Sequence, residues 1–396
     1  MFPFPLSSSR PALSVGLATI LAGAVALSGC SSAPAPKVKV AAPTAPTATA
    51  VATPPPFTAT GVPAALAAII KPLYFGGEVP SSPSAATALS TRTPVKAAGR
   101  VVVSGAVASW KGVPIAVVTS GEDVTLAVAA PAWSVVGGWW PSIGVGAPSL
   151  GGVRRVLLVG SDARPGQPVE GSRGDSLHIV GLDGHGGGGV LGIPRDSYVP
   201  LATGGKGKIN SALTLGGPGA LQQTVVSATG VPLEGYLITG FDGFQRLIDG
   251  IGGLPINAPV AVKDTMSGAN VEAGANKLSG DGALAYGRAR HAVAGGDFGR
   301  SANQGLLIMA AAGFVKLAGP ATLPGILTKA DPGIGTNMSA EQVLTFAAAA
   351  LVTNPENVQN RVAIGGFGMT SDRQSIVLLD ANARRMFADI IDGNLS

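Results

Sequence analysis

Arginines and aspartates recur where apolar runs end in the second half of the chain. Asp162 follows one such run, Asp175 precedes the next, and further cationic or amide side chains follow at Arg173, Arg195, Lys208, Arg288, Arg290, Arg300 and Gln304. The planar guanidinium fork of arginine matches phosphate oxygens in a bidentate geometry that lysine cannot reproduce. Mg²⁺ needs only one or two carboxylates beside phosphate oxygens and water. These residue types therefore favour phosphate chemistry.

The spacing of two motifs brings side chains together. Arg300 and Gln304 are four residues apart, which places them on one face of a helix. If Arg288–Arg290 is extended, its two arginines point to the same side. A pyrophosphate diester carries about two negative charges, and its displacement requires these charges to be held and the leaving phosphate to be neutralised.

Two other motifs do not carry the chemistry that their letters suggest. Residues 184–189 satisfy GxGxxG, but a strand-like run follows them, whereas a dinucleotide site requires a helix. We interpret this segment as a hairpin turn. Residues 297–299 spell the kinase DFG triplet, but the chain lacks the glycine-rich loop, the VAIK lysine and the HRD loop of a kinase. The GxSxG, Walker A and HExxH motifs are also absent from the sequence.

Strand-like and helical runs alternate around these residues. Strands are predicted at Arg154–Val159, Ser176–Leu182, Val190–Ile193, Gly235–Ile238, Ile256–Val262, Val362–Gly365 and Ile376–Leu379. Amphipathic helices are predicted at Gly219–Thr229, Phe241–Asp249, Ser301–Leu317, Ala340–Leu351 and Ala381–Ile391. This alternation indicates a layered α/β domain.

The order of the charged motifs resembles the LytR-CpsA-Psr family of cell-wall glycopolymer ligases over about Arg154 to Leu317. The matching pieces are GSDAR at 160–164, RGDS at 173–176, IPRD at 193–196, KIN at 208–210, YGRARH at 286–291 and GDFGR at 296–300. No single piece is specific, but six occur in the same order. The resemblance implies a layered α/β/α domain with a central mixed sheet. It also implies metal-dependent transfer of a phosphoglycan from a polyprenyl-pyrophosphate carrier to peptidoglycan.

The resemblance also implies roles for individual residues. Asp162 and Asp175 are expected to hold Mg²⁺ or Mn²⁺, and Arg195 is expected to be catalytic. The pyrophosphate is expected to bind Arg173, Arg195, Lys208, Arg288, Arg290, Arg300 and Gln304. The glycine-, alanine- and proline-rich composition suggests a GC-rich actinobacterial source, for which arabinogalactan is the expected donor glycan.

The residue types leave structural alternatives open. The two aspartates also suit loop capping, Arg195 also suits a surface pair with Asp196, and Arg300 also suits a pair with Asp297. Asp196 is either a partner of Arg195 or a base for the acceptor hydroxyl. Two other functions use the same residues: a pyrophosphatase with water as acceptor, and a non-catalytic envelope protein that binds lipid-linked glycan.

The N-terminus resembles a lipoprotein export signal. An apolar run from Leu13 to Leu27 is followed by Leu-Ser-Gly-Cys, with Cys30 at the position that would be lipidated. A run of this length suits a signal peptide better than a membrane span, which needs about 20 residues. We expect a signal peptide at residues 1–29, lipidation at Cys30, and a location at the outer face of the cytoplasmic membrane or in the cell wall.

Composition divides the rest of the chain. Residues 30–60 are rich in Pro, Ala and Thr, which predicts an extended tether. Residues 61–150 contain short strand-like runs, predicting a small strand-rich accessory region or a linker, and residues 151–396 form the predicted catalytic domain. The net charge of +5 arises before residue 151, without the dense basic stripe of nucleic-acid-binding proteins. We therefore expect no nucleic-acid partner.

Overall fold

Two six-stranded sheets form the framework of the protein in this computed structural model. The structure describes residues 56–95 and 99–396, and residues 54–396 form one compact unit. The predicted signal peptide, Cys30 and most of the predicted tether lie outside the described residues.

The first sheet contains six strands in chain order. Its first two strands are parallel and the others are antiparallel. Lys111 and Gly112 both have positive φ, as the two central residues of a tight hairpin turn require. The strands are β1 (Phe57–Thr60), β2 (Val101–Trp110), β3 (Val113–Ser120), β4 (Asp123–Ala129), β5 (Trp133–Trp140) and β6 (Val145–Ser149).

The second sheet is mixed and has the order β17-β12-β7-β8-β9-β18. Its strands are β7 (Arg154–Ser161), β8 (Gly174–Leu182), β9 (Gly188–Gly192), β12 (Gly235–Thr239), β17 (Gly335–Thr336) and β18 (Val358–Val362). Four small antiparallel pairs surround it: β10 (Tyr198–Pro200) with β11 (Lys206–Lys208), β13 (Leu254–Ala258) with β16 (Gly274–Leu278), β14 (Val262–Asp264) with β15 (Ala269–Val271), and β19 (Gly366–Met369) with β20 (Ser375–Leu378).

Nine α-helices lie in the described residues. They are α1 (Ala64–Phe75), α2 (Pro83–Leu89), α3 (Ser211–Thr229), α4 (Phe241–Gly250), α5 (Gly280–Arg288), α6 (Asp297–Ala318), α7 (Leu323–Ala330), α8 (Ala340–Val352) and α9 (Ala381–Asp389). Side-chain caps define several starts: Ser339 and Gln342 form a capping box on α8, and Asp380 caps α9.

Helices and sheets alternate as layers that share buried side chains. Helices α3 and α9 cover one face of the second sheet, with Leu221 and Phe387 in that core. Helix α6 lies on the other face, and α7 and α8 pack between the two sheets. Val156 of the second sheet, Leu344 of α8 and Leu126 of the first sheet are all buried in one apolar cluster. Helices α1 and α2 cover the outer face of the first sheet.

The predicted layered α/β/α domain with a central mixed sheet is confirmed. Strand-rich structure is also present before it, but the first sheet is packed against α7 and α8 and is therefore not a linker. The predicted tether extends too far, because residues 57–60 form β1 and pair with β2. The prediction of a strand at Val362–Gly365 is wrong in its bounds, because β18 ends at Val362.

Within the described residues, no single helix has both the length and the apolar composition needed to cross a membrane. Helix α6 and the helical segment after it meet these criteria only together, and they are bent by 108° at the break between them.

Candidate active site

Most of the predicted site residues lie at one edge of the second sheet. The parallel strands β7, β9 and β12 end at this edge, and the antiparallel β8 begins there. Ligands bind α/β sheets beyond the carboxyl ends of parallel strands. Helix α6 begins at the same edge, because Asp297 and Arg300 in its first turn contact Arg195 and Asp175.

A β-bulge at the start of β8 positions Asp175. The register with β7 shifts there, so Asp175 has no partner on the neighbouring strand. Bulges bend a strand and redirect a side chain. Asp175 Oδ1 accepts a hydrogen bond from Arg195 Nη1 at 2.6 Å, which is a charge-assisted pair. Burial alone would lower the pKa of Arg195, but Asp175, Asp297 and Asp196 raise it overall.

Asp297 brings three arginines together at the start of α6. Its Oδ2 lies 3.3 Å from Arg195 Nε and 3.1 Å from Arg300 Nη2, and its Oδ1 lies 4.0 Å from Arg290 Nη1. Two carboxylates, Asp297 and Asp175, thus face three guanidinium groups. The excess positive charge makes this cluster suited to an anionic ligand.

Arg300 is the most buried of these arginines. Its side chain is 9% exposed, and Nη2 also donates to the Asp175 carbonyl at 3.4 Å. Within the described residues, the buried Nε has no hydrogen-bond partner. Burial and the cations of Arg195 and Arg290 lower the pKa of Arg300, against the opposing effect of Asp297 and Asp175. An unsatisfied buried donor costs about 1–3 kcal/mol, so a phosphate oxygen within reach of Nε would stabilise the site.

Glycines shape the loop that brings Asp297 to this edge. Gly295 and Gly296 have φ values of 77° and 56°, in the left-handed region that favours glycine. At Gly299, an added Cβ would lie 2.2 Å from the Ala294 carbonyl oxygen. The glycines of the DFG-like motif therefore serve this turn, while its aspartate serves the arginine cluster.

Asp264 holds the loop that carries Arg290. Its Oδ2 accepts hydrogen bonds from the backbone N–H groups of Arg290 at 2.9 Å and His291 at 3.0 Å. Its Oδ1 accepts from the backbone of Met266 and Ser267. Burial of Asp264 raises its pKa, but these four donors outweigh burial and lower the pKa to about 2. Sequence reasoning missed Asp264, because it lies 26 residues before Arg290 in an ordinary turn.

The two predicted metal ligands flank the start of β8. Asp162 Oδ1 accepts from the backbone N–H of Arg173 at 2.7 Å, so Asp162 does cap a loop. Asp162 Oδ2 and Asp175 Oδ2 have no hydrogen-bond partner among the described residues. The same residues contain no group of three or more His, Cys, Asp or Glu side chains that could hold a metal ion. Two free carboxylate oxygens still fit Mg²⁺, which takes its remaining ligands from phosphate and water.

Three predicted pyrophosphate ligands make other contacts. The Lys208 ammonium pairs with Asp196 Oδ1 at 3.1 Å, so Asp196 is a partner of Lys208 rather than of Arg195. Gln304 Nε2 donates to the Gly287 carbonyl at 2.9 Å, which ties α6 to the end of α5. The Arg288 guanidinium lies 5.0 Å from the centroid of the Phe241 ring. Arg288 is the last residue of α5, so the extended Arg288–Arg290 segment is not formed.

His178 is a buried histidine with both ring nitrogens satisfied. Its Nε2 donates to the Ser301 carbonyl at 3.0 Å, and its Nδ1 therefore accepts from Ser176 Oγ at 3.1 Å. Burial lowers the pKa of His178 to about 4, despite the opposing hydrogen bond to Ser301, so the ring is neutral near pH 7. It links the middle of β8 to the N-terminal part of α6.

Comparison with known proteins identifies the family. The model of the LytR_cpsA_psr family matches residues 149–385, which is more than half of the chain. The chain belongs to this family. The family match includes the second sheet and the arginine cluster, whereas the first sheet lies before it.

Two curated relatives are cell-wall proteins by name, and another, 36% identical over 154 residues, is the regulatory protein MsrR of Staphylococcus aureus, covering 38% of this chain and 45% of the relative. The chain is 34% identical over 183 residues to the probable cell wall biosynthesis protein LcpB of Corynebacterium glutamicum, covering 43% of this chain and 42% of the relative. It is 31% identical over 194 residues to the polyisoprenyl-teichoic acid–peptidoglycan teichoic acid transferase TagU of Bacillus mycoides, covering 48% and 61%. The chain therefore matches less than two thirds of the length of these relatives.

Two solved structures share the fold. The crystal structure of TagV from B. subtilis has a TM-score of 0.52 and 28% identity, covering 61% of this chain and 98% of TagV. A structure of TagT bound to LIIa-WTA has a TM-score of 0.50 and 21% identity, covering 62% and 92%.

Proposed function

We propose that this protein is a phosphotransferase that moves a phosphoglycan from a polyprenyl-pyrophosphate carrier to peptidoglycan. The observation that carries the proposal is the convergence of Arg195, Arg290 and Arg300 on Asp297, beside Asp175. Three guanidinium groups around two carboxylates suit a ligand with two or more negative charges. Membership of the family and the name of the TagU relative support the same reaction.

Each arginine has a distinct task in this reaction. Arg195 is fixed by Asp175 and Asp297, so its fork is oriented before a phosphate arrives. Arg300 offers a buried Nε donor with no partner among the described residues, and its preorganised charge would stabilise the phosphate as the bond to the leaving group breaks. Arg290 is more exposed than the other two, at 48%, and suits the outer oxygens of the pyrophosphate.

We further propose that Asp162 and Asp175 hold Mg²⁺ or Mn²⁺. The ion would neutralise charge on the pyrophosphate when bound. Asp175 would then contact both the ion and Arg195. Arg173, Lys208, Arg288 and Gln304 remain proposed pyrophosphate ligands.

The lipid-related parts of the proposal rest on sequence. We propose a lipid anchor at Cys30 and a position at the outer face of the cytoplasmic membrane or in the cell wall, where carrier and peptidoglycan meet. Arabinogalactan is the proposed donor glycan. The carrier chain needs an apolar surface, and we propose that α6 supplies it; its Leu307 is buried and Phe314 packs against the same core.

The decisive experiment follows the glycan. Full-length protein in detergent is incubated with Mg²⁺, peptidoglycan fragments and a polyprenyl-pyrophosphate-linked glycan labelled in the sugar. We expect the label on peptidoglycan, polyprenyl phosphate as the second product, and loss of both with a chelator. Release of labelled glycan phosphate into water would instead identify a pyrophosphatase. Binding of the donor without cleavage would identify a non-catalytic envelope protein.

A further inference from the structure

A polar cavity of about 510 Å³ has Arg195 in its lining, but not Asp297. The β10–β11 hairpin forms one wall, and the turn between β19 and β20 forms the other. Its charged lining consists of Arg173, Arg195, Lys206, Lys208, Asp196 and Asp372. Arg195 also belongs to the arginine cluster, but the three other cations exceed the two carboxylates, so the cavity has a net positive charge of its own. Arg173 and Lys208 are also proposed pyrophosphate ligands, so the cavity adjoins the donor phosphates.

The neutral lining of the cavity is rich in hydroxyl and amide groups. Tyr198, Asn210, Thr370 and Gln374 contribute hydrogen-bonding side chains, and the polar groups outnumber the apolar ones. Many hydroxyl and amide partners suit a ligand with many hydroxyl groups, and the excess of cations suits one with a negative charge. Together they match a saccharide that carries a carboxylate or phosphate.

Two adjacent residues divide the cavity from the arginine cluster. The Arg195 guanidinium reaches Asp175 and Asp297, whereas the Asp196 carboxylate reaches Lys208 in the cavity. Their backbone is held firmly, because the Asp196 carbonyl accepts from Val377 N–H at 2.9 Å. A hydroxyl group beside Asp196 is therefore next to a phosphate held by Arg195.

We propose that this cavity binds the acceptor, an anionic saccharide, and that Asp196 accepts the proton of its attacking hydroxyl group. This inference rests on the proposed transferase function. The acceptor oxygen forms a bond to the transferred phosphorus, and the bond from that phosphorus to the bridging oxygen breaks. The polyprenyl phosphate leaves with the electron pair, and the hydroxyl proton passes to the Asp196 carboxylate. Lys208 positions that carboxylate.

Asp196→Asn tests the proton acceptor in full-length protein. The readouts are donor affinity and the rate of transfer to a soluble, carboxylate-bearing peptidoglycan disaccharide, measured across pH. We expect donor affinity within twofold of wild type and transfer lowered at least 10²-fold, the lower end of general-base effects. The acidic limb of the pH profile should also disappear. An equal loss of donor affinity and transfer, or an unchanged pH profile, would overturn the role of Asp196.

Lys206→Gln tests the saccharide site without touching the arginine cluster. We expect the dissociation constant of the disaccharide, measured by titration calorimetry without donor, to rise about tenfold, with donor affinity unchanged. Lys263→Gln is the matched control, since Lys263 pairs with Glu272 on an exposed surface, and should bind like wild type. Equal disaccharide binding by Lys206→Gln and wild type, or no binding by either, would overturn the saccharide site. Failure of the transferase proposal is seen separately, as wild-type protein that does not bind or cleave the donor.

Discussion

At the scale of single residues, Arg300 is a buried cation held between Asp297 and the Asp175 backbone. Arg300→Lys keeps the charge but loses the guanidinium fork and the buried Nε donor. We expect the transfer rate to fall about 10²–10³-fold, by analogy with loss of one donor to a developing oxyanion. Arg246→Lys is the matched control, because Arg246 forms an exposed pair with Asp242 and should keep the full rate.

Single-turnover transfer with labelled donor measures both variants. A normal rate in Arg300→Lys with normal folding would show that Arg300 is only an ion partner of Asp297.

His178 should give stability a pH dependence. Its pKa is about 4 in the folded protein and near 6.5 when unfolded, so the unfolded chain binds more protons between these values. The contribution of neutral His178 is complete above pH 6.5, and the free energy of unfolding should fall by about 3 kcal/mol as the pH drops to 4. Urea titrations from pH 7 to 4 measure this slope.

In His178→Gln, the fall in unfolding free energy between pH 7 and 4 should be smaller by about 3 kcal/mol. His185→Gln, at an exposed histidine, should keep it. Equal slopes in the two variants would contradict the assignment.

At the scale of elements, the arginine cluster depends on how loops are fixed to strands. Asp264 at the end of β14 holds the Arg290–His291 backbone through one carboxylate oxygen and its own turn through the other. Asp264→Asn replaces one acceptor oxygen by an NH₂ donor, which would face backbone N–H groups. We expect the free energy of unfolding to fall, because backbone N–H donors lose their acceptor. We also expect transfer to weaken, because Arg290 is no longer positioned.

Denaturant unfolding and donor affinity measure the two effects. Asp242→Asn, on an exposed surface, is the control and should change neither. Full donor affinity in Asp264→Asn would show that the loop does not depend on this carboxylate.

At the scale of the whole molecule, the first sheet and the family domain share one apolar cluster. Leu344 of α8 is fully buried there with Trp110 and Leu126 of the first sheet. Leu344→Ala should cost about 2–5 kcal/mol and lower the temperature of a single unfolding transition. Calorimetry measures this, with the 85% exposed Leu317→Ala as control. Two transitions, only one of them shifted, would show that the sheet unfolds independently.

Cys30 determines the predicted attachment of the whole protein to the membrane. Cys30→Ala should shift the protein from the membrane fraction to the medium, or leave an uncleaved precursor, because no thiol remains for lipidation. Cell fractionation and intact-mass measurement detect both results. Unchanged fractionation and mass would exclude the lipoprotein interpretation.

The strands that end at the site and the order of the charged motifs could be predicted from the amino-acid sequence alone. Apolar periodicity and the turn glycines act over a few residues, so they can be recognised along the chain. The family resemblance added the expected chemistry, and the structure brings Arg195, Arg290, Arg300 and Asp175 together at one edge.

Which charged groups contact each other depends on the three-dimensional arrangement of the elements. Asp297 contacts Arg195 across 102 residues of sequence, and Asp264 reaches the Arg290 backbone across 26. Such pairs depend on sheet order and helix packing, which no local pattern encodes. The same holds for the first sheet, whose inner face is covered by helices α7 and α8 from the far end of the chain. The periodicity of a strand-rich segment predicts its strands. Which helices cover the resulting sheet depends on how the layers pack together.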